Sequence, residues 1–434
     1  MKSRHPQLVL GILLTCTSAW ATGTLHESEH IPLHLDLEME GVEYRRVLQQ
    51  SGVFPQLLND DADPDVAPAG ADLTRELSLG KRNLDFLDHL NSFRPESERL
   101  ALTSPALQPG YPLDAPRESS PSLIRQRLAE IESSLPSELR AILFAQSSFP
   151  QGISLSDEEY LNWARKVDGI YQAAARWKLQ EPYLQQYKAR RSGDIRGYAF
   201  LVRDPSWRED LARWSSLDSE RQSQLRSWIQ QVCFNSEVDS SACQRQLQEV
   251  ERNGKSVLAW TERYLPKSES IWNSYFQLRN RRSDVKWQRQ RPELMTMPFK
   301  DPRDPAVSSF LIDNIEDEWK AENWNLKLKF ESSGSWIGMA QIVFQPGATP
   351  HVNRLGGDII TMDANQPLTE YGTRWTIRHE FGHVLGLPDC YIEFFDSDRD
   401  VMVSYQIDLD NLMCSRRGRF QPIHFEELKK AYLR

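Results

Sequence analysis

Apolar and polar positions follow two different periods along this chain. From about residue 121 to 280, apolar residues recur three and four apart, the period of helices with one buried face. SDEEYLNWARKVDGIY opens on Ser156 with Glu159 three residues on, a capping box. It sets Tyr160, Ala164, Val167 and Tyr171 along one side. SERQSQLRSWIQQVCF and ACQRQLQEVERNGKSVLAW predict two further helices that meet near residues 235–241. After residue 305 the pattern becomes mixed. AVSSFLIDNIEDEW places Val307, Leu311, Ile315 and Trp319 four apart, one helix face. WNLKLKF alternates Trp324, Leu326, Leu328 and Phe330, a strand with one buried side. AQIVF (340–344) and DIITMD (358–363) predict more strands. TEYGTRWTIRHEFGHVLG predicts a long helix stopping at Gly386, and IHFEELKKAYL the last helix. The expected class is α+β.

Residues 22–120 carry a weaker pattern. LHLDLEM (33–39) alternates as a short strand does, and LDFLDHL (84–90) fits one helix. Around them, NDDADPDVAPAGAD and SPALQPGYPLDAPRESSPS are Pro/Ala/Asp/Ser tracts of linker character, partly disordered. Residues 1–21 combine Lys2 and Arg4, an apolar run over 8–14 and Ala19-Trp20-Ala21, which reads as a secretory signal peptide cut after Ala21. The alternative is an uncleaved N-terminal anchor. Thr15 before Cys16 is larger than a lipid-attachment cysteine prefers. The expected organisation is a signal peptide (1–21), a linker-rich region (22–120), an all-helical domain (121–290) and a mixed domain (291–434). RNRRSDVKWQRQR (279–291) reads as a solvated linker or a processing site, and the helical domain as a prodomain or a substrate-recognition module. No transmembrane segment is expected in the mature chain.

Charge and cysteine content narrow the classes. With 52 Lys+Arg against 61 Asp+Glu the net charge is −9, which argues against nucleic acid as a partner. Of the 5 cysteines, Cys16 lies in the signal peptide, leaving Cys233, Cys243, Cys390 and Cys414. An even set in a secreted or periplasmic protein favours disulfides, and proximity favours Cys233–Cys243 and Cys390–Cys414.

The chemistry concentrates in RHEFGHVLGLPDC (378–390). His379 and His383 are four apart on a helix, about 6 Å along its axis, so one ion fits between them. Glu380 points off that direction yet reaches a water on the ion. Gly386 permits a turn, Leu387 and Pro388 stiffen it, and Asp389 returns as a third ligand. Two imidazoles and a carboxylate leave one position open, the pattern of catalytic zinc. Zn2+ there acidifies a water, and Glu380 carries its proton to a leaving amine. The bland alternatives are a buried helix with satisfied histidines and Asp389 as a turn residue.

HEFGHVLGLPD resembles the metzincin zinc-peptidase signature. Its aspartate ending, with Tyr391 close by, is similar to the snapalysin branch, and IVFQPGATPHVNRLGGDIITMD resembles the strand–loop–strand before the active-site helix of matrixins. The resemblance covers roughly residues 300–434. It implies a metzincin-like metallopeptidase domain, a protein or peptide substrate that pairs with strand 341–344, and a methionine turn. Met413 in DNLMCS stands where the family has that methionine, before the closing helix; Met402 in VMVSY is the rival. Gluzincins take a glutamate from a later helix, for which Glu426 and Glu427 are available. Cys390 is either a thiolate ligand or the partner of Cys414. Tyr391 either polarises the substrate carbonyl or packs, and His351 and His424 read as ordinary histidines. The family's cysteine switch is not visible, since no cysteine of the mature chain precedes Cys233. The leading expectation is an exported zinc metalloendopeptidase. The alternatives are a non-catalytic envelope or binding protein stapled by zinc, for which Cys390 would be the fourth ligand, and a zinc amidase acting on cell-wall peptides.

Overall fold

Each long helix of the first half begins where the sequence supplies an acceptor for its free N–H groups. The computed structural model describes residues 72–434 except 101, 103–109, 145–147, 333–337, 346–347, 349, 365, 370 and 416–417. The expected signal peptide, Cys16 and the strand over 33–39 lie outside the described residues. Helix α1 (Thr74–Asn91) contains the 84–90 segment and starts well upstream of it, inside the interval whose composition reads as linker. Its Gly80 lets Tyr171 approach so closely that a Cβ would stand 2.2 Å from the Tyr171 Cβ. Strand β1 (Arg117–Ser119) precedes α2 (Pro121–Ser134), α3 (Ser137–Phe144) and α4 (Asp157–Gln180). The predicted box on α4 is reciprocal: Glu159 N donates to Ser156 Oγ, and Ser156 N to Glu159 Oε2. Phe86, Ile124, Leu128, Tyr160, Val167 and Tyr171 close one helical core.

Three short helices, α5 (Leu184–Arg190), α6 (Arg196–Arg203) and α7 (Trp207–Ala212), lead to a second core under α8 (Ser219–Glu237), α9 (Ser240–Arg252) and α10 (Val257–Ser274). Cys233 and Cys243 form a disulfide between α8 and α9. The single helix expected over 242–260 is two helices, because Gly254 turns left-handed (φ +61) and Ser256 caps a new start.

The second half is mixed, as expected. It contains β2 (Lys286–Trp287), β3 (Leu294–Lys300), α11 (Pro305–Leu311), β4 (Lys320–Ala321), β5 (Trp324–Glu331), β6 (Gln341–Gln345), β7 (His351–Val352), β8 (Ile359–Asp363), α12 (Tyr371–Val384), β9 (Tyr391–Asp396), β10 (Val401–Gln406) and α13 (Pro422–Tyr432). Trp324, Leu326 and Leu328 are buried while Asn325, Lys327 and Lys329 are exposed, the predicted alternation. The order β2-β3-β5-β4 has β3 parallel to β5, and the order β6-β8-β7 has β6 parallel to β8. Lys300 N donates to Ala340 O (2.8 Å) and stitches the two sheets together. β6, expected from the resemblance to pair with a substrate over 341–344, is an edge strand of its sheet. It is paired with β8 on one side and tied to β3 just before its start, while β7 holds the opposite edge.

The helical and mixed parts are one packed body. In the third sheet β1 pairs with β10, which pairs with β9, with Arg117 opposite Ser404. One face of the β9–β10 hairpin gives Ile392, Phe394, Val403 and Tyr405 to the core around α12. The other gives Phe395 and Met402 to the helical core. Arg176 of α4 meets Glu393 of β9 at 2.6 Å, each side chain only 9% exposed. The basic run is mostly exposed but is anchored at one arginine. Arg282 is buried, its guanidinium bonded to Asp284 and to the Gly338 carbonyl, and its N–H donates to the Tyr432 hydroxyl. No described helix is long and apolar enough to cross a membrane.

Candidate metal centre

Helix α12 presents His379, Glu380 and His383 on its buried side. Its end is a tight turn: Gly386 N donates to His383 O (2.9 Å) and Leu387 N to Gly382 O (2.9 Å). Gly386 has φ +92, a left-handed conformation that strains any side chain. A Cβ there would also stand 2.1 Å from the Arg279 carbonyl oxygen, while Arg279 N donates back to Gly386 O at 2.7 Å. The first residue of the basic run therefore clasps the turn.

The turn carries Asp389 back to the helix. Asp389 Oδ1 lies 3.1 Å from His379 Nε2 and 3.2 Å from His383 Nε2, and the two Nε2 atoms are 3.1 Å apart. Three ligands about 2.0–2.1 Å from a tetrahedral ion stand roughly 3.3 Å from one another, so this near-equilateral triangle fits. Glu380 also offers a carboxylate oxygen, within 4.8 Å of the histidine nitrogens. The tighter spacing makes Asp389 the candidate third ligand beside the His379, Glu380 and His383 group. All four side chains are buried.

The hydrogen bonds around the triangle point its lone pairs inward. His379 Nδ1 meets the Leu412 carbonyl at 3.0 Å, and His383 Nδ1 meets the Leu387 carbonyl at 2.8 Å. A ring whose Nδ1–H is given away presents Nε2 as an acceptor, the tautomer that metal ligation needs. Asp389 Oδ1 and Glu380 Oε2 are buried without a hydrogen-bond donor among the described residues. Acceptors facing one another in a buried site call for a cation. Without a metal that cation is a proton. Burial pulls the His383 ring down, but the Asp389 charge and hydrogen bond outweigh it and raise the ring to about 10. Burial likewise opposes, and Asp389 overrides, a raised His379. Burial pushes Asp389 up, yet the two imidazoles hold it well below the usual carboxylate range. A divalent ion in this place would take over the role of those protons.

Met413 lies under the helix: a Cβ on Gly382 would come within 2.3 Å of its Sδ. Its carbonyl accepts Cys390 N (3.0 Å), and Cys390–Cys414 is a disulfide that ties the ligand loop to this turn. Met402 belongs to the helical core. Glu426 pairs with Lys429, and Glu427 accepts Leu278 N, so both glutamates are engaged on α13. Tyr391 and His351 sit in strand ladders opposite Gln406 and Thr361. His424 is buried and caps its own helix, its Nδ1 accepting Gln421 N at 2.9 Å. The supporting shell has no motif. The Leu412 and Leu387 carbonyls carry no side-chain identity, and Glu318, paired with Arg378 and Arg419, is distant in sequence. Comparison with protein-family models, curated proteins and solved structures finds no match for this chain.

Proposed function

We propose that the chain is an exported zinc-dependent metalloendopeptidase with a metzincin-like domain. The triangle of His379, His383 and Asp389, with the unpartnered Glu380 carboxylate beside it, carries this reading. The Cys390–Cys414 disulfide supports it against a structural staple, because a thiol consumed in a disulfide supplies no fourth ligand. A zinc ion held by the three ligands would supply Lewis-acid chemistry, polarising a carbonyl and acidifying water. Glu380 Oε2 takes a proton from the attacking water. The water oxygen bonds to the carbonyl carbon, the C–N bond breaks, and Glu380 returns the proton to the departing amine. The Leu412 and Leu387 carbonyls hold the two imidazoles in register throughout.

The test is metal analysis and a peptide-library assay on the chain from residue 22, with Glu380→Gln beside it. Wild type should hold one zinc and cleave peptides. The variant should keep its zinc and lose at least roughly 10²-fold in hydrolysis. A zinc-loaded wild type that cleaves no peptide would remove the endopeptidase reading. Cleavage confined to cell-wall peptide amides would redirect it to an amidase.

A further inference from the structure

A buried polar pair outside the ligand triangle holds two of its corners. His424 accepts Gln421 N at Nδ1 (2.9 Å), so its Nε2 carries the hydrogen and donates to Asn411 Oδ1 at 2.8 Å. The same oxygen accepts Met413 N at 2.8 Å. Asn411 is fully buried, and its Nδ2 has no partner among the described residues. An amide that leaves its donor end unsatisfied is held there by its acceptor end. Between these anchors run Leu412 and Met413. The Leu412 carbonyl receives His379 Nδ1, and the Met413 carbonyl receives the N–H of Cys390, next to Asp389.

We infer that Asn411 and His424 are positioning residues of the metal centre: through one shared oxygen they set the Leu412–Met413 turn, whose carbonyls orient His379 and the Asp389 loop. The inference rests on the zinc reading proposed above. It assigns a role to His424, which its sequence context does not suggest. The pair touches neither the triangle nor a substrate, so its removal should act on metal affinity rather than on peptide binding.

The experiment measures the zinc dissociation constant of the intact chain from residue 22 by competition with a chromophoric chelator, below the melting temperature of every variant. His424→Leu deletes the donor and should weaken zinc binding about 10- to 100-fold, with KM for peptide little changed. His424→Gln places an amide N–H near the lost Nε2–H and should restore affinity to within about threefold. Asn411→Asp keeps the acceptor oxygen, and its affinity should also stay within about threefold of wild type even if the leucine variant does not fold. Arg176→Met, a destabilising change at the helical interface, should leave zinc affinity unmoved, which separates positioning from general loss of stability. Wild-type affinity in folded His424→Leu, failure of His424→Gln to restore it, or a tenfold loss in Asn411→Asp would each overturn the inference. A wild type without zinc affinity would overturn the zinc reading along with it.

Discussion

Helices α8 and α12 are held in contrasting ways. Asp218 caps α8 through Arg221 N at 2.7 Å, and a disulfide ten residues apart in sequence ties α8 to α9. Its apolar face packs on helices that lie close in the chain. α12 depends on distant partners. Arg378 O receives Trp319 Nε1 across 59 residues, Leu385 O receives the Tyr432 hydroxyl across 47, and His379 meets Leu412 across 33. Its terminal residue has to be glycine because the Arg279 backbone passes where a Cβ would stand. α8 also has distant partners, Asn235 donating to the Ser192 carbonyl across 43 residues, but its cap and its disulfide are local. A helix that aims two imidazoles at one point has its orientation fixed from several sides, because a small misplacement opens the ligand triangle.

The contrast can be broken most sharply at Gly386. Gly386→Val adds positive-φ strain and a clash with the Arg279 carbonyl, together about 5 kcal/mol. Chemical denaturation should show that loss, and metal analysis should show reduced zinc in whatever remains folded. Full zinc occupancy with unchanged stability would mean that the clasp contributes nothing. The next effect lies between the regions. Arg176→Met leaves Glu393 buried with its Gln180 contact but without its cation, costing about 3–5 kcal/mol. A much smaller loss in urea unfolding would show that the helical layer is only weakly docked. The third is a pH effect. Burial lowers His424 to about 4 in the folded chain. A depressed folded value contributes stability that is full above the unfolded value near 6.5 and is lost as pH falls toward 4. The loss is roughly 3 kcal/mol. It should appear as a pH-dependent gap in urea midpoints between metal-free wild type and His424→Gln. A gap that stays constant from pH 7 to pH 4 would assign the acid sensitivity elsewhere.

Those measurements also bear on the helical region, read from sequence as a prodomain or a recognition module. β1 is a strand of the same sheet as β9 and β10, and Phe395 and Met402 complete the helical core. Cutting the chain within 279–291 would sever a segment whose Arg282 is buried among backbone carbonyls.

Much of this was legible from local pattern. Ser156 with Glu159, the alternation from Trp324 to Phe330, and the start of the helix at Val307 to Leu311 were each legible, because capping and burial periodicity are short-range properties, whereas the switch to a π-helix over Ile312–Glu316 was not. The β9–β10 hairpin was not, since FFDSDRDVMVSY carries apolar residues on both sides and faces two cores at once. The burial of Arg282 was hidden because its neighbours Arg279, Arg281, Arg289 and Arg291 are exposed, as a basic run reads, and its own carbonyl partners lie far along the chain.

For the candidate centre, the order of residues alone determined that His379 and His383 share a helix face, that Glu380 lies beside them, and that a glycine turn precedes Asp389. Helix pitch and glycine's conformational freedom are enough for that. Only the tertiary structure decided that Asp389 closes the triangle to 3.1–3.2 Å, that Leu412 and Leu387 choose the imidazole tautomers, and that Asn411 and His424 stand behind Leu412. The Leu412, Asn411 and His424 contacts join a backbone carbonyl and residues distant from His379, and the closing of Asp389 depends on the exact path of the turn, neither of which a local pattern encodes.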